Sequence, residues 1–514
     1  MRYLYGLALL CAIVLWSSCR NDFETVASSG NLEFSQDTVY LDTVFTDIGS
    51  STYNLRVYNR SDEDISIPTV RLGRGEDSNY RLNVDGLAGK VFEDVQVLAN
   101  DSIFIFVETT VDIADQTNDL QFLYTDQIQF DSGGNQQNVE LVTLVQDAVF
   151  LFPDLDADGM VGTIVLGQDE NGEDVTIEGF VLEGDELNFT NEKPYVIYGY
   201  AAVPNNETLT IDAGARIHFH RDSGILVANQ GSIQALGAPS TDPELLENEI
   251  IIEGDRLEPD FSDIPGQWGT IWLTIGSTNN IFNHTTIKNG IVGLLVDQTS
   301  DVTLNNVQIY NSSNVGLLGR NAVVTGNNMV INNSGQSSLA CSLGGVYNFN
   351  HSTFANYWTN SFRSFPTVQI DNFIPGFEEA DLIEANFTNC IIYGNEQREL
   401  GIFRGEDPSK EFNFNLTNTL FRFEDPQGDF EDDPNYDFSN ATFYTNSILN
   451  VDPVFQNTNL NNFNIGEGSS GAEGIGLGGV APGVDLNGTT RDGNTPDAGA
   501  YEATVFPDDG GDLP

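Results

Sequence analysis

A short string recurs along the second half of the chain at nearly constant intervals. His284-Thr285-Thr286-Ile287, Asn306-Val307-Gln308-Ile309, Asn328-Met329-Val330-Ile331 and His351-Ser352-Thr353-Phe354 follow one another at 22, 22 and 23 residues. The string returns at Asn389-Cys390-Ile391-Ile392 and at Asn418-Thr419-Leu420-Phe421, and 22 residues later at Asn440-Ala441-Thr442-Phe443. A β-rich unit of this length cannot bury its apolar face alone, so successive units must stack into a solenoid. The period predicts that Ile287, Ile309, Ile331, Phe354, Ile392, Phe421 and Phe443 form one inward row. The Asn or His three residues earlier would stack as a polar ladder at a turn. Leucine-rich repeats share the period but need a Leu-x-x-Leu-x-Leu pattern that is absent here.

Longer intervals, from Phe354 to Ile392 and from Ile392 to Phe421, mark coils with insertions, which carry Trp358, Phe362, Phe365, Tyr393, Phe403 and Arg404. Insertions of this kind lie on one face of a solenoid, often the binding face. Fifty glycines against three methionines agree with strands joined by tight turns. The fold class expected is therefore all-β. Ahead of the repeats, residues 31–150 alternate polar and apolar in short runs such as Tyr53-Asn54-Leu55-Arg56-Val57-Tyr58, separated by turn clusters, which reads as an immunoglobulin-like β-sandwich. Residues 151–194 read as an acidic connector, 195–505 as a right-handed parallel β-helix with a closing segment, and 506–514 as an acidic tail.

The first residues read as a targeting segment. Arg2 precedes an apolar run from Leu4 to Trp16 that is too short to span a bilayer, and Ser17-Ser18-Cys19 follows as a small-residue cleavage site. This segment resembles the bacterial lipobox, which implies removal of residues 1–18, lipidation of Cys19, and a polar tether over 19–30. Arg20-Asn21-Asp22-Phe23-Glu24 resembles the acidic export signal that sends lipoproteins of Bacteroidota to the cell surface. The location expected is thus the outer membrane, lipid-anchored and surface-exposed.

The formal charge is −56, and loss of residues 1–18 removes one arginine and no acid, leaving −57. Such a field repels nucleic acid and polyanions, and it also keeps an exposed protein soluble. Beyond Cys11 and Cys19, only Cys341 and Cys390 remain, in apolar contexts that favour buried thiols over a bridge.

Several strings, Lys193-Pro194-Tyr195-Val196-Ile197-Tyr198-Gly199, Leu209-Thr210-Ile211-Asp212-Ala213-Gly214, Pro265-Gly266-Gln267-Trp268 and the terminal Asp485-Leu486-Asn487-Gly488 with Pro496-Asp497-Ala498-Gly499-Ala500-Tyr501-Glu502, resemble right-handed β-helix proteins of Bacteroidota grouped with the pectate-lyase-like superfamily. The resemblance implies fold and location and supplies no reaction. Neither an Arg-x-Pro-x-x-Arg stretch nor a Gly-His-Gly with paired aspartates is present.

Candidate site residues are few. His218 and His220 sit two apart, on one face of a strand by alternation, and could share proton-transfer work, or fill structural roles in an early coil. Lys288 is a third catalytic candidate, in a weaker set with Asp297 and Arg320. Trp268, Trp272 and Trp358 could stack on sugar rings, although a core role competes with that reading. Asp154, Asp156 and Asp158 have the first half of an EF-hand loop, but Val165 stands where its bidentate glutamate is needed, so a Ca²⁺ site would need other carboxylates. The function expected is display of a β-helix for binding or adhesion, to polysaccharide or to envelope proteins. A polysaccharide lyase or glycoside hydrolase is the alternative, and a structural role in the envelope is a third.

Overall fold

The computed structural model describes residues 25–507 apart from 118 and 243. The expectations for the signal segment, Cys19, the export signal and most of the acidic tail fall outside these residues. Two compact units divide between Asp147 and Ala148. The described residues are all β, with only short 3₁₀ turns between strands.

The first unit is a sandwich of two sheets. One contains Thr38–Phe45, Ile65–Leu72, Val91–Val97, Gln121–Phe130 and Gln137–Gln146, and the other is built on Tyr53–Tyr58, Tyr80–Val84 and Ser102–Thr109. Strand periodicity explains the core: in Ser102–Thr109, Ile103, Ile105 and Val107 point inward and are buried, while Phe104 and Phe106 face outward.

The second unit is a parallel β-helix with three strands to a coil. In a regular coil the chain runs through Leu294–Val296, then through Asp301–Ser312, which bends at Asn306 and so serves two faces. Each strand pairs in parallel with its counterpart one coil on. The inward row is as the spacing predicts along most of its length: Ile287, Ile309, Ile331, Phe354, Ile392 and Phe421 pair in register. All six are buried, within one apolar core that continues from Leu151 to Tyr444.

The row departs from expectation at its end. Phe421 pairs with Leu449, not with Phe443. The counterpart of Asn418 is Asn446, at the head of Asn446-Ser447-Ile448-Leu449, so this coil also carries an insertion. Phe443 instead stacks on Phe414 at 4.5 Å.

The ladder has a backbone cause. His284, Asn306, Asn328, His351, Asn389, Asn418 and Asn446 all have φ between 42° and 56°. This left-handed conformation turns the chain sharply between two faces, and Asn and His tolerate it far better than β-branched residues do. Side chains then bond along the stack: Asn328 Nδ2 donates to Asn306 Oδ1 at 2.9 Å, and Asn306 and Asn389 donate to the Nε2 atoms of His284 and His351 at 3.0 Å. A second amide ladder, Asn283, Asn305, Asn327 and Asn350, runs beside it at 2.9 to 3.1 Å.

Residues 151–194 do not form a free connector. Val149–Leu151 pairs with Tyr195–Ile197, and the hairpin Thr163–Gln168/Asp174–Val181 pairs through Gly179–Val181 with Tyr200–Ala202, so this segment begins the helix. The closing segment is a strap along the outside of coils. Phe463, Ala500 and Tyr501 pack on Tyr310, Val330 and Ala355, and Ile465, Ala472 and Ala498 on Ile391 and Leu420. Arg491 is buried beneath it, bonded to Glu502, Asn328 and the Gly499 carbonyl. Cys341 and Cys390 are buried free thiols, and burial pushes both well up from the usual thiol range.

Ile331→Ala should lower the stability of the β-helix by about 2–5 kcal/mol, since a cavity adds to the lost transfer energy. Phe443→Ala should cost clearly less. Trp268, Trp272 and Trp358 all lie in the second unit and residues 25–147 contain no tryptophan, so in the chain freed of residues 1–18, which carry Trp16, indole fluorescence during guanidinium unfolding reads this unit alone.

Candidate functional site

The two histidines near the start of the helix meet different fates. The strand Arg216–Phe219 ends before His220. His218 is 5% exposed, on the outside of its coil, and lies beside Glu253 of the next coil at 3.7 Å. Glu253 also takes Lys288 Nζ at 2.7 Å. The structure thus joins two sequence candidates, His218 and Lys288, through a carboxylate that sequence reasoning missed. Register is the signal that finds it: Ile217, Ile252 and Ile287 form one row, so their next residues must form another. Burial holds His218 neutral, below its usual range. Burial also opposes the charge on Glu253, but the neighbouring cation overcomes this and keeps the carboxyl below its usual range. Lys288 and Glu253 fasten one coil to the next, and the neutral His218 lies alongside with Nδ1 3.3 Å from the Gly254 carbonyl.

His220 lies at a corner and is half exposed, with Nδ1 2.7 Å from Asp255 Oδ2. Its ring stacks on Tyr198 at 4.5 Å between centroids. The hydrogen bond to Asp255 raises the imidazole above its usual range, while burial and the Asp255 charge lift Tyr198 to about 12. These groups line a cleft of about 580 Å³ with Glu178, Asp222, Arg256 and Gln267. Because Asp255 accepts from Nδ1, Nε2 is the nitrogen left for proton transfer. His218 and His220 therefore share neither a partner nor a cleft, and the paired role expected of them is not built.

The tryptophans also separate. Trp268 is a core residue, 1% exposed, stacked on Phe219 at 4.6 Å and donating to the Lys288 carbonyl at 2.9 Å. Trp358 is 6% exposed and donates to Ser361 Oγ. Neither offers a face to a ligand. Trp272 points outward from Ile271–Leu273, partly exposed, with Nε1 3.2 Å from Asp297 Oδ2. Asp297 also accepts from Arg320 at 2.9 Å, so the set expected with Lys288 splits, Lys288 going to Glu253. Trp272, Leu226, Val181 and Leu166 wall a second cleft of about 590 Å³, rimmed by Asp297, Thr274 and Asn229. The hairpin 163–181 forms its far side.

The Asp154 loop is a self-satisfied turn. Asp156 Oδ1 accepts from the backbone N–H groups of Asp158 and Met160 at 2.9 and 2.8 Å, and the Asp154 carbonyl accepts from Gly162. Asp154, Asp156 and Asp158 do not converge, and the described residues hold no cluster of three metal-ligating side chains.

The chain matches no family model and no curated protein. Among solved structures it is similar to the catalytic unit of a thermostable GH87 α-1,3-glucanase from Streptomyces thermodiastaticus strain HF3-3, over 71% of this chain and 78% of that one, at 12% identity and a TM-score of 0.19. A family 123 glycoside hydrolase from Clostridium perfringens matches over 22% of this chain at 9% identity and a TM-score of 0.17, and the chain spans 25% of that enzyme's length. The periplasmic chaperone SfaE matches over 29% of this chain and 83% of its own, at 10% identity and a TM-score of 0.16. Likenesses this slight carry no chemistry across.

Proton NMR titration of the imidazoles should find His220 titrating above 6.5, with His218 and His284 below it and His351 at about 3. Asp255→Asn should bring His220 down. The raised value means that the ion pair stabilises the fold fully below pH 6.5 and ceases to do so as pH rises through the His220 value.

Proposed function

We propose that this protein is a lipid-anchored, surface-displayed lipoprotein that binds neutral carbohydrate in the cleft beside Trp272. The observation that carries the glycan reading is the placement of one indole on the outer face, against an apolar wall and a polar rim. A sugar ring needs both: its C–H face stacks on an aromatic ring while its hydroxyls bond carboxylate, amide and hydroxyl groups. Asp297 is held in place by Trp272 and Arg320, so the rim is preorganised. The overall charge argues against polyanionic polymers. The sandwich, read as immunoglobulin-like, would act as a spacer between membrane and helix, with Cys19 carrying the lipid.

The His220 cleft favours a second reading, hydrolysis or elimination of a glycan. An imidazole oriented by Asp255, with Glu178 and Asp222 in the same cleft, is a credible proton-transfer group.

Mature chain without lipid, offered a panel of neutral and uronic-acid polysaccharides with and without Ca²⁺, separates these readings. Retention without cleavage, reduced about tenfold or more by Trp272→Ala, is the expected result, equivalent to ~1.4 kcal/mol or more. Release of reducing or unsaturated ends, lost in His220→Ala, would establish the enzyme instead. For location, protease added to intact cells should degrade the protein, and full protection would exclude surface display.

A further inference from the structure

The strap shows what the corner ladder can hold. Asn418 Nδ2 donates to the Ile475 carbonyl at 2.6 Å. Asn389 donates to the Leu477 carbonyl at 3.0 Å and accepts the Leu477 N–H at 2.7 Å. Asn328 donates to the Val484 carbonyl at 2.9 Å. At Asn328 and Asn389 the amide uses one N–H along the ladder and the other on the strap. Strap numbers rise as coil numbers fall, so the strap follows the ladder backward through the coils. The strap also packs tightly on the rest of the closing segment: a Cβ at Gly476 or Gly478 would come within 2.5 Å of the Pro496 or Gly493 carbonyl oxygen.

The strap leaves the ladder at Asp485, where a turn closes through Asp485 N–H to the Thr489 carbonyl at 2.8 Å and Thr489 N–H to Asp485 Oδ1 at 2.7 Å. Two rungs continue beyond it, Asn306 and His284, on the floor of a cleft of about 600 Å³ walled by Leu246, Glu249, Val484 and Tyr501. Asn306 gives one N–H to His284 Nε2 at 3.0 Å. An amide nitrogen can only donate, so that imidazole nitrogen accepts and the ring proton sits on Nδ1. The second N–H of Asn306, which at Asn328 and Asn389 goes to the strap, takes no acceptor among the described residues. The floor is therefore a continuation of a surface that already binds main chain, with donors on offer and a carboxylate, Glu249, on the wall.

We propose that this cleft binds an extended peptide segment of a partner protein, whose main-chain carbonyl accepts from Asn306 and whose basic group meets Glu249. Peptide is favoured over other acceptors by continuity: the next rung of the same ladder, Asn328, in the same left-handed backbone conformation, holds a carbonyl of the strap.

The test is fluorescence anisotropy with a labelled synthetic peptide of the strap's own sequence, Ile475–Val484, followed by a lysine, titrated onto the full chain. Saturable binding is expected. Asn306→Asp keeps the side-chain shape and tolerance for positive φ but removes both donors, and should weaken binding about tenfold or more. Its added charge would by itself favour the lysine, so a loss reports the missing donors. Glu249→Gln should also weaken binding, whereas Asn389→Asp, beneath the strap, should leave it unchanged. Absence of saturable binding, or equal binding by Asn306→Asp, overturns the proposal. So does loss in Asn389→Asp, which would mean that the peptide had replaced the strap, and so does displacement by neutral oligosaccharide, which would return the cleft to glycan binding.

Discussion

Parallel pairing in register governs the second unit. Each residue lies over its counterpart about 4.8 Å away, so whatever one coil places at a position the next must tolerate at contact distance. Inside, Ile287, Ile309 and Ile331 meet that condition by packing aliphatic on aliphatic. At the corner the condition is harder, because the backbone must turn through positive φ and a polar side chain must then face its own kind. Asn satisfies both demands: it tolerates the conformation, and its amide is donor and acceptor at once, so identical rungs bond rather than repel. A charged residue at that corner would stack like charge on like.

Departures from identity are where chemistry collects. His218, Glu253 and Lys288 occupy one outward row, and the opposite charges of Glu253 and Lys288 on neighbouring coils make a fastener. Two residues on, beyond the end of the strand, His220 and Asp255 are released from the sheet into a cleft. The same residue type is thus held neutral by burial at one position and raised by a carboxylate at the other. Trp268 and Trp272 differ for a related reason. Trp268 sits in an isolated bridge to Gly290, ahead of the strand Ile271–Leu273, and fills the core, whereas Trp272 alternates outward between the buried Ile271 and Leu273.

These contrasts mark how far the sequence could be read. The row of Ile287, Ile309, Ile331 and Phe354 was legible because its three steps, 22, 22 and 23 residues, are nearly equal. Phe443 was misplaced because the preceding coil is longer: a 22-residue step from Phe421 lands on an apolar aromatic that belongs to an insertion, while the true rung is Leu449. Strand parity failed for Trp268 and Trp272, and for His218 and His220, since each pair straddles a strand boundary that periodicity does not reveal. The connector was misread for another reason: Val149–Leu151 is too short to announce a strand, and the hairpin Thr163–Gln168/Asp174–Val181 joins the helix only through its last three residues, Gly179–Val181, which pair with the coil above. Glu253 was invisible from any local pattern, since its partners lie 35 residues away on each side.

The charge balance bears on the ligand. With 76 acidic and 20 basic side chains, cations are scarce, and several of those at the helix are spent internally. Arg363 and Glu399 form a bidentate pair that is 1% and 0% exposed. Arg491 pins the strap, Arg216 clamps the carbonyls of Leu246 and Glu249, and Arg320 orients Asp297. Withdrawing any of these cations would leave a buried carboxylate or carbonyl unmatched, at a cost of several kcal/mol for the ion pair. A polyanion approaching the Trp272 cleft would meet a cation already committed to a carboxylate, within a field of the same sign as its own. A neutral sugar meets no such barrier, because stacking on the indole and bonding to the Asp297 rim require no counter-charge.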